Sequence, residues 1–140
     1  PIDWLSDLRK KDRKKKFLVE GKALWEEDED KKPYFLQIAI PKNKENWDDL
    51  LEITKQWTKN EESNSEAWYE YGFVNEKLLN LEAALTSYNK SINLDKNNSD
   101  SLYRSALLHN KNGNSSKAKQ IQKNLLLIDE IKGRELENLL

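Results

Sequence analysis

Side chains that usually carry acid–base or metal chemistry are sparse in this sequence. His109 is the only histidine, there is no cysteine, and the four glycines stand singly rather than in a phosphate-binding loop. Because a metal site needs several ligands and a nucleophilic centre needs a positioned base, a lone histidine is more often a packing residue. Acidic pairs such as Asp48-Asp49 fall at expected helix ends, where they complement the helix dipole. We therefore expect no catalytic residue, no metal site, no cofactor and no enzymatic activity.

The strongest local charge feature is a basic stretch near the N-terminus. Its seven cations are Arg9, Lys10, Lys11, Arg13, Lys14, Lys15 and Lys16. Such a run could dock on nucleic acid or on an anionic membrane, or it could be a solvated helix face that pairs with the acidic run 26–30. Residues 31–140 hold equal numbers of acidic and basic side chains. Since a nucleic-acid-binding protein usually has a broad basic surface, we favour the solvated interpretation.

The composition predicts one folded domain that is rich in charge. Apolar residues make up 36% of the chain and charged residues 35%, while five Trp, five Tyr and three Phe supply the large side chains of a core. The longest nearly apolar run, residues 34–40, is far shorter than the roughly 20 residues of a membrane-spanning helix. The first residues lack the pattern of a secretory signal. We expect a soluble, cytoplasmic protein, which could also be a fragment of a longer chain.

A spacing of 34 residues organises most of the sequence. Residues 65–72 are followed at this interval by the similar residues 99–106, and Ala84 is followed by Ala118. A period in this range indicates stacked supersecondary units rather than the core of a globular enzyme. We therefore expect the fold and the function of a repeat protein.

Apolar periodicity and capping signals predict a series of helices. Residues 34–40 could be a strand or a short helix, and we favour a helix that begins near Pro33 and is ended by Pro41. After it we expect helices from Asn46 to Trp57, from a Ser65 cap to about Leu79, over Leu81–Leu94, over 100–112, and over 117–128 with a Ser115 or Ser116 cap. One or two further helices are expected before residue 26.

Residues 65–98 resemble a tetratricopeptide repeat (TPR) unit, a pair of antiparallel helices. Trp68, Gly72, Ala84 and Tyr88 match the TPR signature. Residues 99–132 match more weakly, and residues 31–64 match mainly at 47–49. The resemblance implies an all-α, TPR-like α-solenoid of about two to three repeats. It implies a degenerate repeat at 31–64, repeats at 65–98 and 99–132, a capping helix at 133–140 and a divergent helical segment at 1–30.

Small residues of the signature imply close helix crossings. Gly72 and Ala106 would lie where the paired helix approaches, with Ala84 and Ala118 as their counterparts. Enlarging Gly72 should therefore force the helix pair apart. The tail after Gly133 would cover the apolar face of the last unit with Leu136, Leu139 and Leu140, as terminal repeats require.

The first helices of successive TPR units line a concave groove. The residues that the resemblance places in or beside this groove are Glu66, Tyr69, Glu70, Phe73, Tyr103, Arg104, Leu107 and Lys111. We expect the aromatic side chains and Leu107 to project into it. The resemblance implies a non-catalytic scaffold that binds a peptide or helix of a partner protein. The alternatives are an adaptor that docks through residues 9–16 on nucleic acid or membrane, and an oligomerisation module that self-associates.

One TPR subclass binds the acidic C-terminal tails of heat-shock chaperones through a clamp of basic and amide side chains. The matching places here hold Phe35, Ala39, Glu70, Asp100 and Arg104. Only Arg104 fits the clamp, and the acids at 70 and 100 would repel a carboxylate. Chaperone tails are therefore a disfavoured partner.

Overall fold

A computed structural model describes residues 32–140, and the expectations for residues 1–31, including the basic stretch 9–16, lie outside them. The chain divides into two compact units, residues 1–45 and residues 46–140. All regular elements in the described part are helices. They are α1 Tyr34–Gln37, α2 Ala39–Asn43, α3 Trp47–Asn60, α4 Ser65–Lys77, α5 Leu81–Leu94, α6 Ser99–Lys111, α7 Ser115–Ile128 and α8 Glu130–Leu139.

The described part of the first unit is helical, so the helix interpretation of 34–40 is confirmed. The carbonyl of Pro33 accepts the backbone N–H groups of the first turn of α1. The expectation that Pro41 ends the helix is wrong, because Pro41 lies inside α2. It occupies the first turn of α2, where a backbone N–H has no partner within the helix and its absence costs little.

The second unit is a series of helices in which each packs against the next. Contacts join α3 to α4, α4 to α5, α5 to α6, α6 to α7 and α7 to α8, and α8 also contacts α6. Connections of only a few residues make successive helices antiparallel. This confirms the all-α solenoid of stacked helix pairs.

Asparagines, rather than the serines that follow them, cap α4 and α6. The Asn64 side chain accepts from Glu66 N at 2.9 Å, and the Asn98 side chain accepts from Ser101 N at 3.1 Å. The expected Ser65 cap is wrong by one residue, and α7 likewise begins after Asn114. The reason is that asparagine caps a helix about as well as serine does, so an Asn-Ser pair leaves the start ambiguous by one position.

Two glycines lie where helices cross closely. A Cβ atom on Gly72 would lie 2.8 Å from Cε1 of Tyr88, so the expected close crossing there is present. A Cβ on Gly133 would lie 2.5 Å from the Cα of Leu126. The capping helix was expected over 133–140, but Gly133 lies inside α8, which begins three residues earlier at Glu130. The residue that ends α7 and caps α8 is Asp129, whose side chain accepts from Lys132 N at 3.1 Å.

Among residues 32–140, a large group of buried apolar residues lies between α6, α7 and α8. Its members are Leu102, Ala106, Ala118, Ile121, Leu125 and Leu136. Leu136 is fully buried, so α8 covers the last helix pair as expected. Leu139, which was expected to share this role, is 55% exposed. The earlier start of α8 explains the difference, because the covering face is centred on Gly133 and Leu136.

Candidate partner-binding groove

A row of aromatic rings runs along α4. The rings of Tyr69 and Phe73, one helical turn apart, are stacked with centroids 6.1 Å apart. Trp47 of α3 meets the Phe73 ring edge-on at 6.0 Å, and Tyr88 of α5 lies 5.9 Å from Tyr69. Because the rings pack on one another, Tyr69 and Phe73 are half-buried rather than fully projecting.

Arg104 of α6 lies over this row. Its guanidinium carbon is 5.0 Å from the centre of the Phe73 ring, within cation–π range. Its Nε is 3.3 Å from Oε1 of Glu76, an ion-pair distance, although Nε lacks a well-aligned hydrogen bond. The same Glu76 oxygen accepts a hydrogen bond from the Tyr88 hydroxyl at 2.7 Å. Glu76, on α4, thus contacts Tyr88 of α5 and Arg104 of α6.

Burial and this network set the charge states of the groove. Burial, followed by the hydrogen bond to Glu76, raises the pKa of Tyr88 well above its usual range. Burial, followed by the field of Asp100, raises the pKa of Tyr69 as well. Burial lowers the pKa of Arg104, but Glu76 and Tyr88 more than offset it, so the net shift is upward. At neutral pH both phenols therefore stay protonated and Arg104 stays cationic.

A cleft of about 210 Å³ opens beside Arg104. Its lining residues are Tyr69, Asp100, Tyr103, Arg104, Lys132 and Glu135. Lys132 Nζ lies 3.4 Å from Oδ1 of Asp100, which links α8 to α6. Two aromatic faces therefore meet two cations and two carboxylates in one concave surface.

The structure brings three of the expected groove residues into the cleft, namely Tyr69, Tyr103 and Arg104. Others lie around it: Phe73 lies beneath Arg104, and Leu107 is half-buried against the apolar cluster of α6, α7 and α8. Glu66 and Lys111 are exposed, while Glu70 is buried.

Two cleft residues, Lys132 and Glu135, were not among the expected site residues. They are three positions apart on α8, a spacing that puts them on one face of a helix. The spacing of Lys132 and Glu135 is visible in the sequence. It indicates a shared helix face only if the last helix begins before Gly133.

In residues 32–140, no group of three or more His, Cys, Asp or Glu side chains could hold a metal ion. Within the same residues, no helix combines the length and the apolar character needed to cross a membrane.

Stacked helix pairs with a concave, polar and aromatic groove define a helical-repeat protein. Family models of the tetratricopeptide repeat match residues 65–98 and residues 87–120. The solved structure of MamA is similar in fold, with a TM-score of 0.57 and 22% sequence identity over 69% of this chain and 53% of that one. The chain thus spans about half the length of that structure. No curated protein matches the sequence significantly.

These matches identify tetratricopeptide repeats within residues 65–120 of the chain. Repeats of this family are scaffolds for protein–protein interaction and are typically non-catalytic. The matches therefore support a general scaffold role for this chain. The chemistry of the groove indicates what kind of partner it binds.

Proposed function

We propose that this protein binds a peptide or helix of a partner protein in the cleft formed by α4, α6 and α8. The observation that carries the proposal is the meeting of Tyr69 and Tyr103 with two cations and two carboxylates at one concave surface. The role is non-catalytic, because binding alone accounts for these side chains. We place it in the cytoplasm, as the sequence pattern favours.

The groove suits a segment with one apolar anchor flanked by polar groups of both signs. The phenols supply flat apolar faces, and their hydroxyls can donate hydrogen bonds. If a partner covered about 50 Å² of apolar surface on each of Tyr69 and Tyr103, the gross gain would be roughly 2.5 kcal/mol. Association costs offset much of this gain, so we expect a micromolar or weaker contact.

A purely acidic tail is a poor fit for the same surface. Arg104 already lies 3.3 Å from Glu76, so its charge is partly satisfied within the fold. Lys132 is likewise paired with Asp100. This supports the inference that chaperone C-terminal tails are not the partner.

The test is quantitative capture of partners by the intact chain and by two variants. Tyr103→Ala with Lys132→Ala removes an aromatic face and a cation that line the cleft. Leu127→Ala is the matched control, because Leu127 is 87% exposed and does not line the cleft. We expect the double variant to lose at least one partner that the control retains, with unchanged circular dichroism for both. Equal partner sets for all three proteins would refute the groove proposal.

A further inference from the structure

A second cleft, of about 410 Å³, lies between α5, α6 and α7. Leu102 and His109 line it from α6, seven residues apart and therefore on the same side of that helix. Tyr103, which lines the groove cleft, lies on a different side of α6. The second cleft is thus a separate surface, and the proposed groove function does not use it.

The cleft has an aliphatic floor. Leu102 and Ile121 are 5% and 8% exposed, and Ile92 is half-buried beside them. A floor of this kind accepts an aliphatic side chain. Its volume lies within the usual range for pockets that bind small ligands or single side chains of a partner.

The rim of the cleft is basic and rich in amides. His109 and Lys117 face it from α6 and α7, and Asn89, Asn93 and Asn124 complete the rim. Among the described residues, no carboxylate lines the cleft. Amide N–H groups, an imidazolium and an ammonium group are all hydrogen-bond donors to a carboxylate.

His109 and Lys117 are close enough to affect each other. Burial, followed by the charge of Lys117, lowers the pKa of His109 below its usual value. α5 contributes only the amides and Ile92 to the same space. An anion placed between the two basic groups would relieve their repulsion and favour the protonated histidine.

From these observations we infer that the cleft between α5, α6 and α7 is a second docking site, for a partner segment with an aliphatic side chain next to a carboxylate. The aliphatic group would cover Leu102 and Ile121. The carboxylate would lie between His109 and Lys117 and accept from the side-chain amides. Charge complementarity selects this occupant over a basic or a purely apolar segment.

The test is titration of the folded chain with a blocked Gly-Ser-Glu-Leu-Gly peptide, followed by two-dimensional amide NMR. We expect saturable shifts at Asn89, His109 and Lys117, with affinity that increases as the pH is lowered and His109 gains a proton. The variant His109→Gln with Lys117→Gln should bind on the order of tenfold more weakly and lose the pH dependence. Lys119→Gln is the matched control, because it removes the same charge from α7 but lines a different cleft; its affinity should not change.

Three outcomes would overturn the inference. One is binding of equal strength to the double variant and the parent chain. The second is saturation by inorganic phosphate with no additional effect of the leucine, which would show a simple anion site. The third is a peptide with Gln in place of its Glu that binds as well as the original.

Discussion

Replacing Gly133 by alanine tests the packing of the last helix pair. In an ordinary exposed helix position this change stabilises by about 1 kcal/mol, because glycine is a poor helix former. Here the new Cβ would lie 2.5 Å from Cα and 2.8 Å from N of Leu126, and backbone atoms cannot move aside as a side chain can. The helices must separate, at an overpacking cost of about 3 kcal/mol.

The same separation would weaken a buried hydrogen bond. Gln122 Nε2 donates to the carbonyl of Gly133 at 3.1 Å, and its loss would cost about 1 kcal/mol. After subtraction of the helix-propensity gain, we expect Gly133→Ala to lower the free energy of unfolding by about 3 kcal/mol. The midpoint of thermal unfolding should fall by roughly 10 °C.

Urea unfolding followed by far-ultraviolet circular dichroism measures the effect. Arg134→Ala is the matched control, because Arg134 is the next residue of α8 and makes only an exposed ion pair with Glu130. We expect its effect to stay within about 0.5 kcal/mol. A Gly133→Ala variant that is as stable as the parent, or more stable, would refute the close crossing of α7 and α8.

Two further predictions concern stability. Asn98→Ala should lower the free energy of unfolding in urea by about 2 kcal/mol, because the Asn98 side chain caps α6 and also donates to Ser65 Oγ at 2.8 Å. Asn114→Ala should lower it less, since the Asn114 side chain makes no cap hydrogen bond. Equal losses for the two variants would contradict the capping assignment. The fold raises the pKa of Tyr69 and of Tyr88, so the unfolded chain releases these phenolic protons first, near pH 10. Stability should therefore be complete below about pH 10 and fall as pH rises above it, and substituting both tyrosines by Phe should flatten this fall.

Much of the fold could be predicted because the signals are local. The apolar stripe of α5 gave its bounds Leu81–Leu94 correctly, and the 34-residue spacing gave the helix pairs. The errors in helix bounds arose where two neighbouring residues can both act as the N-cap. Asn64 and Ser65 are both good caps, so the start of α4 was misplaced by one residue.

The candidate site was less predictable because its contacts are long-range. The repeat register places Tyr69 and Tyr103 on the first helices of their units, so the positions of these two residues could be predicted from the sequence alone. The joining of Arg104 and Tyr88 through Glu76 depends on how three helices pack, which no local pattern encodes. Lys132 was missed because Gly133 was interpreted as a break, whereas its lack of a side chain serves close packing.

Site-specific photocrosslinking shows whether a partner segment binds in the cleft of α4, α6 and α8. A photoreactive phenylalanine analogue would replace Tyr103, which lines the cleft, and in a second protein Lys55, an exposed residue of α3 outside it. Binding in this cleft should give covalent capture of a defined partner peptide from position 103 and not from position 55, with the crosslinks from position 103 reduced by Lys132→Ala. Capture of the same peptide from position 55 alone, or equally from both positions, would contradict it.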